Sequence, residues 1–129
     1  MSGADLRERL LAFALLAVGL LHLYPALGAL GVARLAALYE VPLADAGLVL
    51  LLRHRAVLFG LLGVLLLLAA WRSRWRDAAT AVALVSMLSF VVLAWPVEAQ
   101  RAALARVFWA DLVGSVLLAA AWGAARVGR

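Results

Sequence analysis

Four apolar blocks, each long enough to cross a bilayer, use up almost all of this 129-residue chain. A helix rises about 1.5 Å per residue, so about 20 apolar residues cover a hydrocarbon core roughly 30 Å thick. The blocks run from 10 to 31, 47 to 71, 78 to 97 and 103 to 124. With 68% hydrophobic residues and a mean hydropathy of +1.08, the chain carries more apolar surface than a water-soluble fold can hide. The expected fold is an all-α membrane protein, a four-transmembrane-helix bundle forming one integral membrane domain over 1–129 with no room for a separate soluble domain.

The first block, LLAFALLAVGLLHLYPALGALG, follows the charged segment Asp5-Leu6-Arg7-Glu8-Arg9. A basic start before an apolar run also suits a secretory signal peptide, but signal cores run about 7 to 15 residues and end at a small-residue cleavage site. This block is longer and no A-x-A site follows, so it reads as a retained span. Residues 32–46 hold Arg34, Tyr39, Glu40, Pro42 and Asp45 among small apolar residues, which predicts a short interfacial helix ending near Pro42.

The net charge of +5 comes from twelve arginines without a lysine, a bias of a GC-rich bacterial genome. The arginines are split between helix ends and form no continuous basic face, so no nucleic-acid partner is expected. The absence of cysteine removes disulfides and thiolate chemistry, and His22 and His54 lack metal-motif spacing, so neither a metal nor a cofactor is expected. Arginines retained on the cytoplasmic side set orientation. Arg7, Arg9, Arg72, Arg74, Arg76, Arg126 and Arg129 stand against Arg34, Arg101 and Arg106, a bias of seven to three that predicts cytoplasmic termini in a bacterial inner membrane. Trp71, Trp75 and Trp122 then mark the inner interface, and Tyr24, Tyr39 and Trp95 the outer one.

Charged residues inside a span cost roughly 2.5 to 3.5 kcal/mol each and by default mark a pathway or a site. Counted at 1.5 Å per residue from the outer ends, His22, Arg53, Ser89 and Asp111 all fall about 10 to 12 Å deep, one from each span. Arg53, Ala56 and Gly60 share one stripe of the second span, and Asp111, Gly114 and Ser115 one stripe of the fourth. Small residues four apart, Ala56/Gly60 and Ala110/Gly114, predict that these two spans touch. Asp111 is the acid inside a span and the expected partner of Arg53 or Arg55. One arginine is left over and calls for an anion, water or a lipid headgroup, unless Arg55 snorkels to the surface.

Other residues of the layer carry weaker signals. His22 beside Asp111 would titrate near neutral pH, whereas a lone histidine more often satisfies a neighbour. His54 points about 100° away from Arg53, toward lipid or a second subunit. Ser86 and Ser89, one turn apart, either donate to a ligand or bond their own backbone. Pro25 is expected to kink the first span and free a carbonyl above His22. Glu98 reads as a solvated rim charge within reach of Arg101, Arg106 or the surplus arginine.

The stretch RHRAVLFGLLGVLLL at 53–67, with WRSRWRDAA and SMLSFVVLAW, resembles a family of small bacterial four-helix membrane proteins of unestablished function. Some members carry the name phosphopantetheine adenylyltransferase. That activity requires an HxGH-like phosphate motif on an α/β fold, and neither His22-Leu23-Tyr24-Pro25 nor His54-Arg55-Ala56-Val57 supplies one. The leading expectation is a binding protein whose ligand pocket, built from His22, Arg53, Arg55, Ser89 and Asp111, holds a membrane lipid or an anionic lipophilic molecule. A membrane-embedded isomerase or cyclase with His22 and Asp111 exchanging protons is the alternative, weakened because an arginine-held aspartate is a poor acid. Transport ranks third: the first span lacks the acid of small multidrug exporters, and the charge bias is too strong for a dual-orientation fluoride channel. Four short spans bury little surface, so a homodimer is compatible with each reading.

Overall fold

The structure, a computed structural model, describes residues 2–96 and 102–127. Among these residues five α-helices follow one another: α1 (Gly3–Ala26), α2 (Val32–Tyr39), α3 (Ala46–Trp71), α4 (Arg76–Ala94) and α5 (Ala102–Val127), with 3-10 turns at Leu27–Leu30 and Ser73–Trp75. Four of them are long and apolar enough to cross a membrane, which makes this an all-α, multi-pass membrane fold. Phe13, Leu50, Val85, Leu93 and Val113 stand 63 to 76% exposed on its outer surface, as lipid-facing side chains do.

Local chemistry sets the helix limits. Ser2 and Asp5 close a reciprocal cap, the Asp5 amide donating to Ser2 Oγ at 3.1 Å and the Ser2 amide to Asp5 Oδ2 at 3.0 Å. This cap starts α1 at Gly3, well before the apolar block at residue 10, so the charged segment belongs to the helix. Pro25 has no amide to continue the ladder, and the chain tightens into the 3-10 turn one residue beyond Ala26. α2 is the expected connector helix. Glu40, in the left-handed conformation at φ 52°, ends it ahead of Pro42. Leu35 of α2 is fully buried, and a Cβ at Gly28 would come within 2.6 Å of its Cδ2, so glycine lets α2 fold back over the turn. Asp45 caps α3, accepting from the Leu48 amide at 2.6 Å.

The spans pack in a ring, α1 on α3, α3 on α4, α4 on α5 and α5 on α1. The expected contact between the second and fourth spans is therefore corrected: α3 and α5 lie on a diagonal. Neighbouring axes 8–10 Å apart put diagonal ones about 13 Å apart, too far for small residues to meet. The close seam is instead between α1 and α3, where a Cβ on Gly63 would lie 3.0 Å from the Gly19 carbonyl oxygen and one on Gly19 3.2 Å from the Gly63 oxygen. Gly60 faces Ala26, and Gly114 faces Met87, Leu21 and Val18.

Two halves result. The chain begins, α3 ends, α4 begins and α5 ends at one face, here the terminal end; α2 covers the opposite, connector end. Leu11, Leu15, Val18, Leu66, Ala83, Met87 and Leu118 form a dry core in the terminal half. Its rim is tied by Arg76, which donates to Glu8 Oε2 at 2.6 Å and to the Glu8, Ala69 and Ala70 carbonyls at 3.3, 3.3 and 2.7 Å. Asp77 accepts from Trp122 Nε1 at 2.7 Å and pairs with Arg126 at 3.4 Å. Glu98 and Arg101, read from sequence as rim charges, lie outside the described residues, as do Arg129 and the last residue of the third block.

Candidate functional site

His22 continues the interior stripe of Leu11, Leu15 and Val18 on α1 and is 3% exposed. Its Nδ1 lies 2.8 Å from the Val18 carbonyl. A carbonyl only accepts, so Nδ1 carries the proton, and in the neutral ring Nε2 is a bare acceptor. That Nε2 is buried without a partner among the described residues. The His22 ring meets Phe59 edge-on, 5.7 Å between centroids.

Arg55 enters the layer from α3. Its guanidinium carbon lies 4.9 Å from the ring centroids of both Phe59, one turn along the same face, and Phe90 of α4. Its Nε is buried and bonds nothing among the described residues. Asp111 stands opposite on α5, 7% exposed. Arg55 and Asp111 are each nine residues past the start of their helices, Ala46 and Ala102, which gives a shared depth of about 13 Å.

The expected Asp111–arginine pair is not formed: among the described residues no ion pair within 4.0 Å and no hydrogen bond reaches the Asp111 carboxylate. Its helix lies diagonal to α3, so Arg55 acts on it through space and not by contact. Arg53 is turned elsewhere. Two positions along a helix are about 200° apart, so Arg53 and Arg55 cannot serve one pocket. Arg53 donates twice, at 3.2 and 3.0 Å, to the Ala29 carbonyl in the 3-10 turn that extends α1, where a cation also offsets the helix dipole. It is a cap. His54 is exposed beside it and lines a surface depression of about 470 Å³ with Arg53. Ser89 is exposed and donates to the Ser86 carbonyl at 2.9 Å, the backbone bond already foreseen as its alternative.

The single pocket expected from depth is thus divided. A groove of about 380 Å³ between α3 and α4 holds Arg55, Phe59, Ser86, Ser89 and Phe90, with Leu58, Leu62, Val82 and Leu93 as apolar walls. A cavity of about 320 Å³ between α1, α2 and α5 holds Asp111, roofed by Leu38 and Tyr39 of α2. Leu21 and Pro25 line the same cavity, and the missing amide of Pro25 leaves the Leu21 carbonyl without its helical donor. His22 lines neither of the two and touches the groove only through Phe59.

Sequence reasoning overlooked several of these groups. Phe59 and Phe90 look like filler in an apolar run, although the four-residue step from Arg55 to Phe59 was a usable signal. Arg106, read as a flank charge within reach of Glu98, pairs with Glu40 at 2.8 Å beside the Asp111 cavity and ties α2 to α5. Compared with known proteins, the chain matches no family model, no curated sequence and no solved structure, so the chemistry of this layer alone supports a functional reading.

Proposed function

We propose that this chain is a small bacterial inner-membrane protein, with both termini cytoplasmic, that holds a membrane lipid or an anionic lipophilic molecule against Arg55. One observation carries the reading: a guanidinium sits within a spanning bundle, sandwiched by two phenyl rings, with its Nε unbonded among the described residues and an apolar groove beside it. Aromatic faces stabilise a cation without using its N–H groups, so those groups stay available to an anion. The rest of the groove suits a chain, since Leu58, Val82 and Leu93 are exposed at its lipid-facing opening.

Charge-assisted hydrogen bonds contribute about 1.5 to 3 kcal/mol, or roughly 10- to 100-fold in affinity. Native mass spectrometry of the protein purified in detergent should therefore show phosphatidylglycerol adducts that Arg55→Leu weakens at least tenfold and that Arg53→Leu leaves unchanged. Equal retention by wild type and Arg55→Leu would remove the proposal. The orientation is tested separately by a reporter fused after Arg129 that is active only in the periplasm, which should stay dark.

A further inference from the structure

We propose that the cavity between α1, α2 and α5 is a second binding site, selective for the ammonium group of a lipophilic amine, with Asp111 as its anionic partner. It differs from the Arg55 groove in the sign of the group it offers. The Asp111 side chain is more than nine-tenths buried, lines the cavity and has no ion pair or hydrogen bond among the described residues. Pro25, in the same lining, has no N–H, so the backbone there offers one donor fewer to an anion. Tyr24 and Tyr39 complete the lining, and aromatic rings attract cations. An unpaired carboxylate among aromatic and apolar side chains favours a donor that carries positive charge and disfavours an anion.

The remaining wall is apolar, with Leu21, Leu38, Ala103, Val107 and Ala110. A further depression of about 240 Å³ shares Tyr24, Ala37 and Leu38 and extends the path for an alkyl chain. The volume of about 320 Å³ falls at the small end of ligand sites, enough for a headgroup and part of a chain but not for a whole lipid. The cation already at the mouth, Arg106, is held by Glu40 and does not occupy Asp111.

The test compares dodecylammonium, dodecanol and dodecanoate, three probes with one chain and different heads, bound to the detergent-solubilised full chain and counted by native mass spectrometry. Dodecylammonium should bind at least tenfold tighter than dodecanol, and Asp111→Asn should abolish that preference while leaving dodecanol binding in place. Ala110→Phe, which keeps the acid and fills the cavity, should also lose dodecylammonium, so the proposal stays testable if Asp111→Asn does not fold. Arg55→Leu should keep the preference for dodecylammonium over dodecanol and weaken dodecanoate, which separates this site from the anion groove. Phosphatidylethanolamine adducts lost together with dodecylammonium in Asp111→Asn would identify a lipid headgroup as the source; dodecylammonium lost alone would identify a free amine. Equal affinity of wild type for the amine and the alcohol, or amine binding that survives both cavity variants, would overturn the proposal.

Discussion

The terminal and connector halves of the bundle treat the charged groups between their helices in opposite ways. At the terminal end Arg76 engages one carboxylate and three carbonyls, and Asp77 serves both Trp122 and Arg126 over a dry aliphatic core. In the connector half Arg55 faces phenyl rings, His22 Nε2 is unpartnered among the described residues, and Asp111 lines a cavity. A sequence that satisfies one part-buried arginine four times over has the means to satisfy another. The difference separates groups that hold the fold from groups whose polar atoms no described residue engages.

That division can be broken by substitution. The largest effect is expected from Arg76→Leu, which removes a part-buried ion pair and uncaps two carbonyls of α3; about 3 kcal/mol should be lost, read as a clear fall in melting temperature in detergent. Arg53→Ala removes two bonds to one carbonyl and should cost about 1 to 1.5 kcal/mol, without altering lipid retention. Arg106→Ala breaks an exposed pair, 62% and 53% accessible, and should cost about 0.5 kcal/mol or less at moderate salt. The smallest change in stability is expected at Arg55→Leu, close to zero, because the lost ring contacts are offset by removal of a membrane-buried charge. A fall in melting temperature at Arg55→Leu as large as that at Arg76→Leu would erase the contrast between the halves.

How much was legible follows from which quantities add along a chain. Span length and depth accumulate at a fixed rise per residue, so α3, α4 and α5 begin within two residues of the apolar blocks, although the arginine that shares the depth of Asp111 is Arg55 and not, as expected, Arg53. The early start of α1 escaped because hydropathy registers apolar residues, whereas a Ser2/Asp5 cap carries helix through a charged segment. Azimuth was legible in part: the interior stripe of Asp111, Gly114 and Ser115 is buried, but the 200° between Arg53 and Arg55 was available and overlooked. The order of helices around the ring was not legible. Small residues at 56, 60, 110 and 114 say that something packs closely there, and only the fold shows that α3 meets α1 through Gly63 and Gly19 while α5 takes the diagonal.

The bonds of the arginines also have a direction in time. Arg53 binds residue 29, Arg76 binds residues 8, 69 and 70, Arg106 pairs with residue 40 and Arg126 with residue 77, so each finds its acceptor in chain made before it. A polypeptide entering a membrane from its N-terminus thus presents every one of these guanidinium groups to an oxygen already synthesised. The α1–α3 hairpin can settle with Arg53 capped before α4 exists. Arg55 breaks the rule, because Phe90 and Asp111 emerge 35 and 56 residues later. Throughout that interval Phe59 is the one of its two ring partners that has been made, and the guanidinium gains its second face only when α4 follows.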